Sequence, residues 1–313
     1  MAAVTKKKTS LGRKWLNQYQ LHLFLLVPVV LVLIFKYYPM LGAQIAFRQY
    51  KVALGIWGSP WVGFKNFNKF FNSYKFGTVI KNTLTISAYS IFIGFPIPVF
   101  FALILNTVRN LKYKKFVQTL TYMPHFISTV VMVGILMQVL NPITGLYYRL
   151  YSMFGGQGYP SNLLNNADAF VHIYFWSGVW QNLGWDTIIY IAALAGVDPT
   201  LYEAAEIDGA SRWKRLLHID FPSIMPTITI MLILRCGDVM SVGFEKIYLM
   251  QNKLNLSRSE VISTYVYKLG LQSSGDFSLS AAVGLFNSVV NFVMLVLVNA
   301  LSRKISKEGV SLW

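Results

Sequence analysis

Long apolar runs divide the chain, and short segments rich in lysine and arginine separate them. A helix needs about 20 apolar residues to cross the roughly 30 Å of hydrocarbon in a bilayer, with its backbone hydrogen-bonded internally. Six runs meet that length, so the sequence predicts an all-α integral membrane protein with a single domain over residues 1–313. The predicted spans are Leu21–Leu41, Val79–Leu105, Phe116–Leu140, Phe170–Ala195, Ser223–Gly243 and Ser280–Ser302.

The composition excludes an ordinary soluble domain. Only 13% of the residues are charged and 55% are hydrophobic, whereas about 25% are charged in soluble domains. The formal net charge is +16, and the basic residues cluster between the apolar runs. A bilayer imposes this distribution because its core excludes charge. We therefore expect membrane lipid and no nucleic acid as a partner. The one cysteine, Cys236, excludes an intrachain disulfide and a thiolate metal cluster.

The basic residues also predict the orientation of the chain. Residues 1–20 form a basic tail with five Lys and Arg and no acid, Asn106–Lys115 carries four, and residues 303–313 carry three. Lys and Arg are enriched on the cytoplasmic side of membranes. We therefore expect a multi-pass protein of the bacterial cytoplasmic membrane with both termini in the cytoplasm. The segment 196–221 is then also cytoplasmic, and the links 42–78, 141–169 and 244–279 face outward.

Prolines recur inside the predicted spans, and each one removes a backbone donor and tends to kink a helix. Kinked helices suit a bundle that surrounds a pathway, although proline is also commoner in membrane helices in general. The sequence leaves both interpretations open. The prolines are Pro28, Pro96, Pro98, Pro124 and Pro226.

The predicted cytoplasmic segment 196–221 carries clear helix signals. Asp198 suits an N-cap and Pro199 suits the first helical position that follows it. Gly209 permits a tight stop, and a second helix can begin at Ala210 and continue to Leu217. We predict a short helix, a glycine break and a second helix that protrude from the membrane bundle.

A spaced motif runs through the same segment. It consists of Glu203-Ala204-Ala205, Gly209 after three residues, and Ile219, Phe221 and Pro222 after nine more. This pattern resembles the EAA loop of type I ABC importer permeases, in which the usual residue before the final proline is Leu rather than Phe. In that family the loop docks the ATP-hydrolysing subunit.

The resemblance implies both a fold and a set of partners. The fold is the type I permease fold, with six transmembrane helices and a cytoplasmic coupling helix. The expected partners are a second homologous permease, two ATPase subunits that bind ATP and Mg²⁺, and an extracytoplasmic solute-binding protein. No cofactor is expected in this chain. The resemblance assigns ATPase coupling to Glu203, Ala204, Ala205, Asp208, Gly209, Arg212 and Pro222.

Shorter motifs resemble permeases for carbohydrate uptake. Trp61–Phe67 is similar to the entry motif of those permeases, and further stretches are similar to the subgroup for pectin-derived and alginate-derived oligosaccharides. These stretches are Gly55–Pro60, Tyr122–His125 and the terminus from Arg303–Ser306 through Ser311–Trp313. The resemblance implies import of an oligosaccharide by alternating access. Basic residues in the outward links suggest anionic uronate sugars as one option.

The chain lacks the motifs of an energy-converting or hydrolytic enzyme. It has no Walker A sequence for phosphate binding, so the energy must come from another polypeptide. It also has no His-Glu-x-x-His and no Gly-x-Ser-x-Gly sequence. Two alternatives remain: an ABC permease for another solute, such as a peptide or a phosphorylated polyol, and a proton-coupled secondary transporter. No inverted internal repeat supports the latter.

Polar residues inside spans are costly and tend to face protein or water, so they are candidates for a substrate path. Indole rings beside amides and carboxylates suit the apolar faces and hydroxyls of sugars. Tryptophan also favours membrane interfaces, and asparagine also joins helices, so structural roles stay open. The candidates are Trp180, Asn182, Trp185 and Asp186 in the fourth span, Asn287 and Asn291 in the sixth, and Tyr89 in the second.

Overall fold

The computed structural model of the chain describes residues 19–272, 275–305 and 311–312. Across these ranges the regular structure is helical, apart from an isolated antiparallel bridge between Arg48 and Trp61. The predicted all-α fold class is confirmed. Residues 1–18 of the predicted basic tail lie outside the described residues, as do Ser306 and Trp313 of the C-terminal motif.

Eleven helical segments of the described residues form the bundle and the helices that adjoin it. Shorter helices, at Gly55–Gly58, Lys65–Phe71, Leu146–Met153 and Leu256–Ser259, lie in the connecting segments. The eleven segments are α1 (Tyr19–Phe47), α2 (Phe76–Asn106), α3 (Leu111–Phe126), α4 (Thr129–Val139), α5 (Ala167–Ala195), α6 (Pro199–Ile207), α7 (Arg212–Ser223), α8 (Met225–Gly237), α9 (Phe244–Met250), α10 (Ile262–Tyr267) and α11 (Phe277–Ile305).

The helices provide up to six membrane crossings. Among them, α1, α2 and α11 are long and apolar enough to cross unbroken. Three pairs qualify only together: α3 with α4, bent by 99°, α5 with α6, bent by 73°, and α7 with α8, bent by 57°. By length and composition the described residues thus agree with six predicted spans, and in the second pair α5 covers the predicted span Phe170–Ala195 while α6 belongs to the segment 196–221.

The predicted span Phe116–Leu140 is broken more sharply than the kink that Pro124 led us to expect. Helix α3 ends at Phe126 in a turn of 3₁₀ helix that contains Pro124, and α4 begins at Thr129 after a bend of 99°. Ser128 caps the new helix, because its hydroxyl accepts a hydrogen bond of 3.4 Å from the backbone N–H of Val131. The apolar run continues through this break, so hydropathy alone does not reveal it.

The predicted limits of the fifth span, Ser223–Gly243, also differ from the structure. The helix begins at Met225 and ends at Gly237, and a turn follows in which the N–H of Ser241 donates to the carbonyl of Asp238 at 2.8 Å. Pro222 and Pro226 lie on either side of the bend at its start. Each removes one backbone donor, so the helix is weakest between them.

Three turns of π helix precede prolines within the long helices. The turns are Leu33–Tyr37, Ser90–Gly94 and Leu216–Asp220, and the prolines two residues beyond them are Pro39, Pro96 and Pro222. A proline has no N–H and its ring collides with the carbonyl four residues earlier. A wider turn relieves that collision while the neighbouring N–H groups stay hydrogen-bonded, as between Phe95 N and Ser90 O at 2.9 Å.

Helix α5 packs closely against α3 at Gly184. A Cβ atom added to Gly184 would lie 2.4 Å from the carbonyl oxygen of Thr121 and 2.5 Å from its carbon. Only glycine permits this separation, so the two backbones are in direct contact. By contrast, no residue of Tyr19–Val32 in α1 is buried within the chain. The packed bundle is therefore built without the first half of α1.

Replacement of Gly184 tests this contact. We expect Gly184→Ala to destabilise the chain by about 1–3 kcal/mol, because the backbones of α3 and α5 must separate. The measurement is the midpoint of thermal unfolding of the purified protein in detergent. Gly134→Ala is the matched control, since Gly134 also lies in a helix and nothing lies within 4 Å of an added Cβ. Equal midpoints for the two variants would contradict the close packing.

Candidate functional site

A cavity of about 990 Å³ lies between α2, α5, α8 and the segment that leads into α9. Its size is at the upper end of the range for pockets that hold drug-sized ligands, about 300–1,000 Å³. Apolar residues of the helices form part of the wall. The polar and charged residues that line it include Ser87, Ser90, Gln181, Asn182, Asp186, Arg235, Asp238, Ser241 and Lys246.

The structure brings three of the predicted pathway residues to this cavity. Asn182, Trp185 and Asp186 all line it, as residues on one side of α5. The Trp185 ring stacks on His125 at a centroid distance of 4.3 Å, and His125 Nδ1 lies 2.9 Å from Asn182 Oδ1. Trp180 does not line the cavity, and 51% of it is exposed elsewhere on the helix.

The other three predicted pathway residues lie away from this cavity. The Tyr89 ring stacks on Phe175 at 4.0 Å, and Asn291 accepts from the N–H of Met240 at 2.8 Å. Both contacts join neighbouring parts of the bundle. Asn287 lines a separate pocket of about 390 Å³ between α9, α10 and α11. Its Oδ1 atom is buried there and has no hydrogen-bond partner among the described residues.

Two cationic side chains complete the cavity wall, and the sequence predicted neither of them in this role. Arg235 of α8 is three residues from Asp238 in sequence, and it donates a hydrogen bond to the hydroxyl of Ser90 of α2. Lys246 of α9 donates to the carbonyl of Tyr174 at 3.2 Å, and its Nζ lies 5.1 Å from the centre of the Tyr174 ring. Arg235 was detectable as a charge within an apolar run. Lys246 carries no such signal, because only the return of α9 onto α5 brings it to the cavity.

The environment of Lys246 changes its acidity. Helix α9 lies outside the membrane-spanning helices, yet burial against α5 lowers the pKa of the Lys246 ammonium to about 8. A buried cation is disfavoured because it loses water without a full replacement. Lys246 is therefore charged at neutral pH but loses that charge within the mildly alkaline range.

At the opposite end of the bundle, the segment 196–221 forms the predicted pair of helices. The carboxylate of Asp198 accepts from the N–H of Thr200 at 2.9 Å, so the predicted N-cap of α6 is confirmed. This hydrogen bond to the charged form also lowers the pKa of Asp198. No residue of α6 is buried, and Ile207 at its end is 87% exposed. The helix thus presents most of its surface to the exterior of this chain.

Gly209 ends α6 in a specific backbone geometry. Its φ is +69°, in the left-handed region that favours glycine. The N–H of Ala210 bonds to the carbonyl of Ala205 at 2.8 Å, and the N–H of Gly209 bonds to that of Glu206 at 3.1 Å. These two hydrogen bonds define a Schellman motif, which satisfies carbonyls that the helix end leaves free. The predicted glycine break is confirmed.

The remaining predicted coupling residues lie on the same surface. Glu203, Ala204, Asp208 and Arg212 are exposed, and Ala205 is half-buried. Arg212 begins α7 immediately after Ser211, whose hydroxyl caps that helix. Pro222 is exposed farther along, at the bend between α7 and α8. The motif therefore maps to the outer surface of α6 and to the first and last turns of α7.

Side chains from distant parts of the sequence join the links that were predicted to face outward. Lys75 Nζ lies 2.6 Å from the buried carboxylate of Glu260, and this hydrogen bond raises the pKa of Lys75. The amide of Asn82 donates to the carbonyls of Ser257 and Glu260, each at 3.0 Å. Within the described ranges, no group of His, Cys, Asp and Glu side chains is arranged to hold a metal ion.

Comparisons with known proteins agree with this architecture. The chain is 43% identical over 305 residues to the polygalacturonan/rhamnogalacturonan transport system permease protein YteP of Bacillus subtilis (strain 168), which covers 97% of this chain and 94% of the relative. It is 41% identical over 296 residues to Protein LplB of the same organism, with coverage of 95% and 91%.

A solved structure shares the fold. A chain in the crystal structure of a bacterial alginate ABC transporter, in complex with an alginate pentasaccharide-bound periplasmic protein, superposes with a TM-score of 0.86. It is 39% identical and covers 96% of this chain and 99% of its own length. The predicted type I ABC importer permease fold is confirmed.

The family follows from a sequence profile that covers more than half of the chain. The profile described as "Binding-protein-dependent transport system inner membrane component" matches residues 94–307, which include most of the cavity wall and the whole segment 196–221. Its relatives are membrane permease subunits of ABC transporters rather than enzymes. The chain belongs to the family of binding-protein-dependent transport system inner membrane components.

Proposed function

We propose that this permease subunit imports acidic oligosaccharides by alternating access. The observation that carries the proposal is the cavity, which Trp185 and Asn182 line together with Arg235 and Lys246. An indole ring suits the apolar face of a sugar, and an amide suits its hydroxyls. The two cations suit the carboxylates of uronate residues. The names of the similar proteins, which refer to polygalacturonan, rhamnogalacturonan and alginate, support an acidic substrate.

The two acidic residues of the cavity fit the same substrate. Asp186 and Asp238 line the wall together with Arg235 and Lys246. Carboxylates accept hydrogen bonds from sugar hydroxyls, whereas the cations attract sugar carboxylates. A uronate oligosaccharide presents both groups on every ring. The mixed charge therefore favours a polyhydroxylated anion over a simple anion.

The proposed complex contains several further chains. A second homologous permease completes the pathway, an extracytoplasmic binding protein delivers the sugar, and two ATPase subunits bind ATP and Mg²⁺. One ATPase subunit docks on the exposed surface of α6 around Glu203 and Ala204, where Ala204 permits close approach. Both termini and the segment 196–221 then lie in the cytoplasm. ATP-driven closure of the ATPase pair moves the coupling segments together and shifts the equilibrium towards the outward-open state.

Energy coupling separates this proposal from its rivals. Uptake into vesicles that hold the complete complex should require ATP and the binding protein, and it should persist when a protonophore collapses the proton gradient with ATP maintained. Loss of uptake with the protonophore would indicate a proton-coupled transporter. Mass spectrometry of the ligand retained by the co-purified binding protein identifies the substrate, and a peptide or phosphorylated polyol there would indicate a permease for another solute.

The first prediction concerns the aromatic wall of the cavity. We expect Trp185→Ala to raise the KM for oligosaccharide uptake roughly fivefold, because the loss of one aromatic contact weakens binding by about 1 kcal/mol. Trp180→Ala is the matched control, since the two side chains are similarly exposed, at 47% and 51%, but only Trp185 lines the cavity. A KM that shifts equally in both variants would indicate a general effect on α5.

The second prediction concerns charge and pH. The ratio of uronate to neutral oligosaccharide uptake should fall between pH 7 and pH 9, because Lys246, with a pKa of about 8, loses its proton over this range. Lys246→Arg should keep the ratio constant, since a guanidinium stays charged. Lys246→Gln should lower the ratio about tenfold at pH 7, because a charge-assisted hydrogen bond is lost. A pH-independent ratio in the wild type would count against contact of Lys246 with substrate.

The third prediction concerns the end of the coupling helix. Gly209→Val forces a β-branched residue into the left-handed region, at a cost of about 1–2 kcal/mol, so the end of α6 should rearrange. We expect less than half of the normal sugar uptake per ATP hydrolysed. Gly196→Ala is the control, because Gly196 has a φ of −88° and an added Cβ would make an ordinary contact of 3.4 Å. Normal coupling in Gly209→Val would contradict the proposed role of this turn.

A further inference from the structure

Asp220 is a buried carboxylate outside the residues to which the motif assigns coupling. Only 3% of it is exposed, and it is the last residue of the π turn in α7. Its Oδ1 atom accepts hydrogen bonds from the hydroxyl of Tyr202 and from the amide of Asn106, the latter at 3.3 Å. Asn106 in turn accepts a hydrogen bond of 3.4 Å from Lys114 Nζ. The carboxylate thus joins three helical segments directly, and Asn106 links them to a fourth.

The side chains that are linked at Asp220 come from three other helices, α6, α2 and α3. Tyr202 belongs to α6, Asn106 is the last residue of α2, and Lys114 lies in the first turn of α3. One turn farther along the same face of α6, Glu206 lies 3.5 Å from Arg109 and 3.8 Å from Arg215, and it is 64% exposed. An exposed ion pair contributes little to stability, whereas a buried hydrogen bond to a carboxylate is strong. Because no residue of α6 is buried, the bond from Tyr202 is its best-protected polar attachment to the bundle.

Helix α2 continues from this junction to the cavity. Its residues Ser87, Ser90 and Gly94 line the cavity wall, and Ser90 accepts the hydrogen bond from Arg235. The hydroxyl of Ser87 donates to the carbonyl of Val239, which also lines the cavity. A displacement of Asn106 is therefore delivered along one helix to groups that face the proposed substrate.

We propose that Asp220 is a positioning residue that fastens α6 to the ends of α2 and α3, so that movement of a docked ATPase subunit reaches the cavity through α2. This inference rests on the proposed function, since it requires an ATPase subunit on α6. If Asp220 only held the fold together, its replacement would lower ATP hydrolysis and sugar uptake alike. If Asp220 is a positioning residue, its replacement lowers the amount of sugar transported per ATP, because α6 then moves without carrying α2 along.

The test uses the complete reconstituted complex and three variants of this chain. Tyr202→Phe removes only the hydroxyl, Asp220→Asn removes the charge, and the third variant combines both. We expect each single variant to lower uptake per ATP by threefold or more while ATP hydrolysis stays within twofold of the wild type. The double variant should show little further loss, because the two changes break one connection. Arg109→Ala is the matched control, since it removes one of the two ion pairs that the exposed Glu206 makes on the same helix, and uptake per ATP should change less than twofold.

The outcomes separate this inference from the proposed function. The background for this test is the proposed function in the wild type. It is established when α6 cross-links to an ATPase subunit and uptake depends on ATP. If that background holds and Tyr202→Phe has the wild-type ratio, the inference about Asp220 is wrong although the proposed function stands. Equal loss of hydrolysis and uptake would likewise overturn it in favour of a structural role. If the wild type shows neither the cross-link nor ATP-dependent uptake, the proposed function itself fails.

Discussion

Internal pairing of backbone hydrogen bonds is the constraint on which the rest of this structure depends. Hydrocarbon offers no replacement partner for an N–H or carbonyl group, so each crossing must be helical and each proline requires an adjustment. The π turns before Pro96 and Pro222 are two such adjustments. The first contributes Ser90 and Gly94 to the cavity wall, and the second ends at Asp220. The same backbone adjustment to proline therefore lies in the wall of the cavity and at the buried carboxylate of Asp220.

Local signals in the sequence predicted the local features of the fold correctly. The Asp198 N-cap and the Gly209 stop depend on a few neighbouring residues, so their chemistry is visible without the tertiary structure. At Pro124 the sequence predicted only a tendency to kink, and neither the size of the bend after Phe126 nor the new cap at Ser128 was predicted. The apolar run continues across that bend, and hydropathy measures composition rather than direction.

The cavity was predicted only in part, because its wall comes from segments distant in sequence. Asn182, Trp185 and Asp186 share one helix, so helical spacing was sufficient to group them. Lys246 reaches the same wall only because α9 folds back onto Tyr174. No pattern within one segment encodes that return. The same reason explains why the sequence did not reveal the hydrogen bonds of Asp220, since their donors Tyr202 and Asn106 come from separate helices.

The position of the π turn within α2 gives the helix two mechanically different parts. At about 1.5 Å per residue, Asn106 lies roughly 24 Å along the helix axis from Ser90. The stretch Pro96–Asn106 between them is regular α-helix and packs into a core with Leu194, Leu216 and other buried residues. The π turn Ser90–Gly94 departs from the i→i−4 pattern of that stretch and is closed by the wider bond from Phe95 N to Ser90 O at 2.9 Å. The proposed coupling therefore predicts that a displacement of the regular stretch produces its largest change at the π turn, whose residues Ser90 and Gly94 lie in the wall of the cavity.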